Sequence, residues 1–194
     1  MALVLFDFDG TITKRDTLFP FLLHTCGGIR FFAGVSLLTS LPAAYALKIV
    51  SAEYAKSWLL SFFLKGQARE EIEAAGAAFC AHRLPSLLRE DMIGLLKSHV
   101  SQGNEVCVVS ASCDAWLKPF CAEYKTHRIS TELEYDSSMR FTGRFRTPNC
   151  NGAEKKKRIL AAYDLAAFPK IVAYGNSGGD APMMEFAHEK HLIR

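Results

Sequence analysis

A chain of 194 residues, 49% of them hydrophobic, is long enough to bury one sizeable core with a modest insertion and too short for several independent domains. A formal net charge of +3 is too small a bias to argue for a nucleic-acid partner. Cys26, Cys80, Cys107, Cys113, Cys121 and Cys150 show no C-x-x-C spacing, and Cys107 sits inside an apolar run; the pattern suits reduced thiols in a cytoplasmic protein better than a disulfide framework.

The chain opens almost directly into Leu3-Val4-Leu5-Phe6, with no secretory signal expected ahead of it. So short an apolar run reads as a buried strand of a parallel sheet. It stops at Asp7-Phe8-Asp9-Gly10-Thr11. Alternation would leave Asp7 and Asp9 on one side with Phe8 toward the core. Two carboxylates so placed repel, and need a cation or a proton to relieve them. The plain alternative is a strand followed by an Asp-Gly turn.

After Thr13 the periodicity is helical for about seventy residues. Ala55, Trp58, Leu59, Phe62 and Phe63 form one apolar stripe, and Ile72, Ala75, Gly76, Phe79 and Cys80 another; both read as helix-packing core. From Phe31 to Leu47 there are 17 residues without a charge, bounded by Arg30 and Lys48 and interrupted by Pro42. That is the short edge of a membrane span, and a buried or interfacial hairpin is the expectation rather than a crossing. Pro85 punctuates, and a helix through Leu88, Met92, Leu95 and Leu96 leads to the turn Gln102-Gly103-Asn104.

Beyond that turn strand and helix alternate. Val106 to Val109 is a second buried strand, followed by a helix with Trp116, Leu117, Phe120, Cys121 and Tyr124 inward. Thr131 to Phe145 reads as a β-hairpin turning at Asp136-Ser137-Ser138. A helix follows Gly152, then the strand Ile171 to Tyr174 and a Gly-rich loop. Such alternation predicts a parallel sheet with helices on both faces. The basic run Lys155 to Arg158 reads as a solvated helix face, and no histidine has zinc-ligand spacing. Ser110-Ala111-Ser112 and Asn176-Ser177-Gly178-Gly179-Asp180 end the second and third strong strands. In a parallel sheet both would share an edge with Asp7 and Asp9, within reach of Lys155. Carboxylates, a hydroxyl and a lysine gathered there suit a cation and a phosphate. Ser110 has an alternative reading as a helix cap, for which Ser112 and Asp114 are better placed. Asp180 can cap the helix at Ala181-Pro182 and support a metal as well.

With these motifs in that order, the whole chain resembles a haloacid dehalogenase superfamily hydrolase of the phosphoserine-phosphatase-like subfamily. The resemblance implies a three-layer α/β/α Rossmann-like core with a parallel sheet (residues 1–13 and 86–194, with a small β-hairpin) and an all-helical cap (14–85) inserted after the first strand. It implies a Mg²⁺-dependent phosphatase acting through an aspartyl-phosphate on a small organic phosphate ester. Asp7 would be the nucleophile and Asp9 the general acid and base. Ser110 and Lys155 would complete the catalytic set, with Lys156 as the fallback lysine. Asp7, Asp9 through its carbonyl, Asn176 and Asp180 would surround the metal; Gly10, Thr11, Ser110, Ala111 and Lys155 would hold the phosphate. One departure stands out: the family's last motif usually begins with aspartate, where this chain has Asn176, which implies weaker metal binding. Asp16 matches the position of an acid that faces the substrate's ammonium group, but suits a helix N-cap better. The greasy cap resembles the lipid-phosphate branch of the subfamily, the phosphatidylglycerophosphatase type. A lipid phosphatase with peripheral membrane contact, and a phosphate-binding module without turnover, are therefore the alternatives.

Overall fold

The computed structural model describes residues 1–37 and 52–194. Its centre is a five-stranded parallel sheet in the order β3-β2-β1-β6-β7. Strand β1 (Leu3–Phe6) is buried along its whole length and runs between β2 (Glu105–Cys113) and β6 (Ile171–Gly175). Phe6 lies opposite Val108 on one side and Tyr174 on the other, so the three strands deliver the residues that follow them to one edge. Strands β3 (His127–Thr131) and β7 (Glu189–Leu192) close the two sides.

Alternation along the central strands builds a core on each face. Val4, Phe6, Val106, Val108, Val172 and Tyr174 share one cluster, and Leu3, Leu5, Cys107, Val109, Ile171 and Ala173 the other. The second cluster is covered by α7 (Ala153–Ala162) and α8 (Ala181–Met184) through Ile159 and Met183. The first is covered by α5 (Glu90–Ser101) and α6 (Asp114–Tyr124) through Met92, Leu96, Leu117 and Phe120. Helices on both faces of a parallel sheet are what strand–helix alternation predicts.

Between β1 and β2 come α1 (Leu18–Cys26), α2 (Gly28–Leu37), α3 (Ala52–Leu64) and α4 (Arg69–His82). Their apolar faces continue the first cluster outward: Phe21 packs on Trp116 of α6 with ring centroids 4.5 Å apart. The predicted stripe in α4 is confirmed, with Ile72, Gly76, Phe79 and Cys80 buried. Gly76 permits a backbone approach, because a Cβ there would lie 1.9 Å from the Ala115 carbonyl oxygen. The stripe in α3 is displaced. Leu60, Phe63 and Leu64 are buried, whereas Phe62 is 45% exposed. The cause is that α3 also packs against the hairpin, where Ser57 donates to the Gly143 carbonyl (3.3 Å).

That hairpin, β4 (Leu133–Tyr135) with β5 (Phe141–Phe145), is antiparallel as expected, and Asp136 stabilises its turn by accepting the N–H groups of Ser138 and Arg140 (both 2.9 Å). Thr131 belongs to β3 rather than to the hairpin, and neither β3 nor β7 is signalled by the sequence. The charge-free run continues past Leu37 outside the described residues; among those described, no helix is long and apolar enough to cross a membrane. All six cysteines are free thiols.

Replacing Gly76 with alanine should force α4 away from α6 and cost about 2 kcal/mol by overpacking. In a chain of this length the thermal midpoint should fall by roughly 4–8 °C, read by circular dichroism. An unchanged midpoint would contradict the close seating of these helices.

Candidate active site

Asp7 leaves β1 in extended conformation, its N–H bound to the Tyr174 carbonyl (2.9 Å). The chain then turns tightly through Phe8–Ile12, with Gly10 at φ +80°, a region favourable to glycine. A side chain on Gly10 would also collide with Asn176, 2.0 Å from its Nδ2. Asn176, at the end of β6, therefore lies directly over the Asp9–Gly10 turn. Gly10 donates its N–H to Thr13 Oγ1 (3.2 Å), and Thr11 donates its hydroxyl to Asp7 Oδ2 (3.0 Å). Both shape the Asp7–Thr13 loop from within, and neither is among the residues that line the cavity.

Lys155, in the first turn of α7, is 1% exposed. Its Nζ lies 2.6 Å from Asp7 Oδ1 and 2.6 Å from Asp180 Oδ1. The other oxygen of Asp180 accepts the N–H groups of Asn176 (3.1 Å) and Ser177 (3.0 Å) and the Ser177 hydroxyl (2.9 Å). Lys156 turns outward instead and pairs with Glu185. Asp9 is framed separately. Its Oδ1 accepts the N–H (2.9 Å) and hydroxyl (2.7 Å) of Thr17, and its Oδ2 accepts the Ser112 hydroxyl. Ser110 Oγ accepts the Ser112 N–H (2.9 Å), which leaves its own proton for another acceptor.

These side chains meet in a cavity of about 420 Å³, lined among others by Asp7, Asp9, Ser110, Ala111, Lys155, Asn176 and Asp180. The opposite wall is apolar and comes from the helices after β1: Leu18, Phe19, Val35, Ala55 and Leu59. Asp16 lies at the cavity and also accepts the Leu18 N–H (2.8 Å), so its helix-start role is real. Lys56, Asn149 and Asn151 line it too, with the Lys56 ammonium bound to the Ala111 carbonyl. The sequence offers no signal for these three. Thr17, Ser112 and Trp116 were likewise not legible as site residues; the sole hint is the two-residue spacing of Ser110 and Ser112, which places them on one side of a strand.

Burial, with the like charge of Asp180 adding to it, pushes the Asp7 carboxyl above the ordinary aspartate range, while Lys155 and Thr11 pull it back. Burial and then the charge of Asp16 push Asp9 up to about 6, against the donors Ser112 and Thr17. Burial opposes the charges of Lys155 and Asp180, but each holds the other ionised: the lysine is held above its usual value and Asp180 below its own.

Four carboxylates (Asp7, Asp9, Asp16, Asp180) face two ammonium groups (Lys56, Lys155) in the cavity, an excess of two negative charges. A divalent cation fits that excess, and the donors near the Asp9–Gly10 turn are hard oxygens. Among the described residues no three His, Cys, Asp or Glu side chains converge as a metal cluster.

Residues 4–185 match the family model of the haloacid dehalogenase-like hydrolases, and the chain belongs to that family. The expected enzyme class, a hydrolase of this type, is thereby borne out. The chain is similar to the protein CicA of Caulobacter vibrioides, with 32% identity over 192 residues covering 97% of this chain and 84% of CicA. Among solved structures, a Bordetella pertussis Tohama I protein of unknown function superposes with a TM-score of 0.84 at 23% identity, covering 97% of this chain and 88% of that one. A substrate-bound phosphoserine phosphatase superposes with a TM-score of 0.68 at 18% identity, covering 97% and 84%. The fold is thus the phosphoserine-phosphatase-like one anticipated from the motifs.

A raised folded-state pKa means that Asp9 contributes stability below its unfolded value and loses it as pH rises through about 6. The gap between about 6 and 3.8 corresponds to at most about 3 kcal/mol. Asp9→Asn should therefore gain stability over the native chain between pH 4 and pH 8 by up to that amount, measured by urea unfolding with chelator present. A stability difference independent of pH would contradict the raised carboxyl.

Proposed function

We propose that this hydrolase is a Mg²⁺-dependent phosphomonoester phosphatase working through an aspartyl-phosphate on Asp7, with residues 14–85 as the cap over the site. The observation that carries this reading is the pairing of two differently held acids. Asp7 has its oxygens bound by Lys155 and Thr11; Asp9, two residues on, is pushed up to about 6. Carboxyls held by separate partners, an ammonium and Thr11 for Asp7 and the donors of Thr17 and Ser112 for Asp9, can divide the labour of nucleophile and proton carrier.

A carboxylate oxygen of Asp7 forms a bond to phosphorus as the ester P–O bond breaks, and Asp9 gives its proton to the departing alkoxide. Asp9, now a carboxylate, takes a proton from water, whose oxygen attacks the acyl phosphate; inorganic phosphate leaves and Asp7 is regenerated. Ser110 donates its free proton to a phosphate oxygen, and Lys155 contributes its charge beside the nucleophile. Mg²⁺, held by the Asp7 carboxylate, the Asp9 carbonyl and the Asn176 amide oxygen, would neutralise phosphate charge as a Lewis acid. Asp180 Oδ2 accepts three donors and Oδ1 the Lys155 ammonium, which supports a role in fixing Lys155 and the Asn176 loop beside the metal ligation expected from the sequence. Asp16, at the cavity, remains available to a cationic group of the substrate.

A second reading concerns the substrate. The apolar wall formed by Leu18, Phe19, Val35, Ala55 and Leu59 fits a hydrocarbon or aromatic body better than the charged body of phosphoserine. It favours an amphiphilic, lipid-like phosphate presented at a membrane surface. Burial of each methylene contributes about 0.8 kcal/mol, or roughly fourfold in kcat/KM. A series of n-alkyl phosphates should therefore rise by up to that factor per carbon until the wall is filled; a flat series would leave the small polar substrate as the better reading.

The decisive assay of the activity is Mg²⁺-dependent phosphate release from an aryl phosphate. The native chain should turn over, and Asp7→Asn should lose at least about 10³-fold in kcat; equal rates in the two would refute the assignment. Asn176→Asp restores a full negative charge to the donor set and should lower the Mg²⁺ concentration for half-maximal activity. Half-saturation no tighter than native would show that Asn176 does not limit metal binding.

A further inference from the structure

The hydrogen bonds around Asp9 extend away from the phosphate site into the body of the protein. Trp116 Nε1 donates to Thr17 Oγ1 (3.0 Å), and Thr17 Oγ1 donates in turn to Asp9 Oδ1 (2.7 Å). The Thr17 N–H reaches the same oxygen (2.9 Å), and the Ser112 hydroxyl reaches Oδ2. Thr17 and Trp116 are fully buried and Ser112 is 1% exposed, so water does not compete for these bonds. Thr17 stands at the start of α1 and Ser112 in β2, 95 residues apart in sequence. The frame is therefore assembled only when the helices after β1 are seated on the sheet.

Counting lone pairs gives the frame a direction. A carboxylate has about four acceptor positions, two on each oxygen. Oδ1 takes two donors from Thr17 and is full; Oδ2 takes one from Ser112 and keeps one position open. We propose that Thr17 and Ser112 are positioning residues for proton transfer: they hold the Asp9 carboxyl so that its proton is carried on the open position of Oδ2, with Trp116 fixing the rotation of the Thr17 hydroxyl. Trp116 uses up an acceptor position of Thr17 Oγ1 and so leaves its proton directed at Asp9. Neither Thr17 nor Ser112 is among the residues lining the cavity; each acts through Asp9. Placement of a general acid is worth about 10²-fold or more when the leaving group is a poor one, and little when it departs unaided.

This inference rests on the phosphatase reading, and the experiment separates the two. Native protein, Ser112→Ala, Thr17→Val and Thr17→Ser are compared on propyl phosphate, whose alkoxide needs a proton, and on 4-nitrophenyl phosphate, whose phenolate does not. Ser112→Ala and Thr17→Val should lower kcat for propyl phosphate by about 10²-fold with KM changed less than about twofold. The pre-steady-state burst of 4-nitrophenolate should stay within about threefold of native. Thr17→Ser, which keeps the hydroxyl, should recover most of the propyl phosphate rate even if Thr17→Val proves unstable. Equal losses on both substrates, a change in KM alone, or no loss in either variant would overturn the positioning role. Turnover of 4-nitrophenyl phosphate that survives Asp7→Asn, or no Mg²⁺-dependent turnover of it by the native chain, would instead remove the phosphatase reading and this inference with it.

Discussion

A single buried ammonium organises this protein's site. Lys155 brings together Asp7 at the end of β1 and Asp180 beyond the end of β6, three groups that are each at least 94% removed from solvent. Two carboxylates that close would repel strongly in a medium of low polarity, and an unpaired lysine there would be no less costly. Together they are tolerable, and the geometry is tied to α7, which carries the lysine. Because the second oxygen of Asp180 gathers the backbone of Asn176 and Ser177, the same interaction sets where Asn176 stands over the Asp9–Gly10 turn. Asp7, Lys155 and the Asn176 loop are one unit, and the other parts of the site are built around it.

The apolar wall opposite gives that unit its chemical environment. Charged groups facing Leu18, Phe19 and Leu59 across a small cavity interact more strongly than they would in water, both with one another and with an entering phosphate. The excess of carboxylates makes the cavity hostile to an anion entering on its own. Asp9 sits at the meeting point of the two walls, and the helices after β1 supply part of its hydrogen-bond frame through Thr17.

The central strands and the Asp7–Thr11 loop are legible because their physics is local. An apolar run followed by two aspartates leaves few alternatives, and parallel register then brings Ser110 and Asn176 to the same edge. Strand β7 was not legible, since Glu189, Lys190, His191 and Leu192 are all exposed and pair only because β6 offers an edge. His127 and Arg128, at the start of β3, hide that strand for the same reason. The stripe in α3 was misplaced because the helix packs on two sides, against its helical neighbours and against β5, and periodicity alone assumes one. Lys155 is legible through the order of the motifs together with Cys150-Asn151-Gly152 just ahead of it. The Thr17–Asp9–Ser112 frame had no such order to reveal it; Ser112 reads as a helix cap until the fold brings Thr17 beside it.

Whether Asp7 becomes phosphorylated during turnover is the most direct test of how this site works. Enzyme quenched during turnover of a phosphate ester can be treated with borohydride, which reduces an aspartyl-phosphate to homoserine, and the peptide spanning Leu3–Thr11 sequenced by mass spectrometry. Homoserine at position 7, formed only with substrate and Mg²⁺ present, is the predicted result. Homoserine at position 9, or continued phosphate release with neither aspartate reduced, would contradict Asp7 as the nucleophile and with it the role assigned to Lys155.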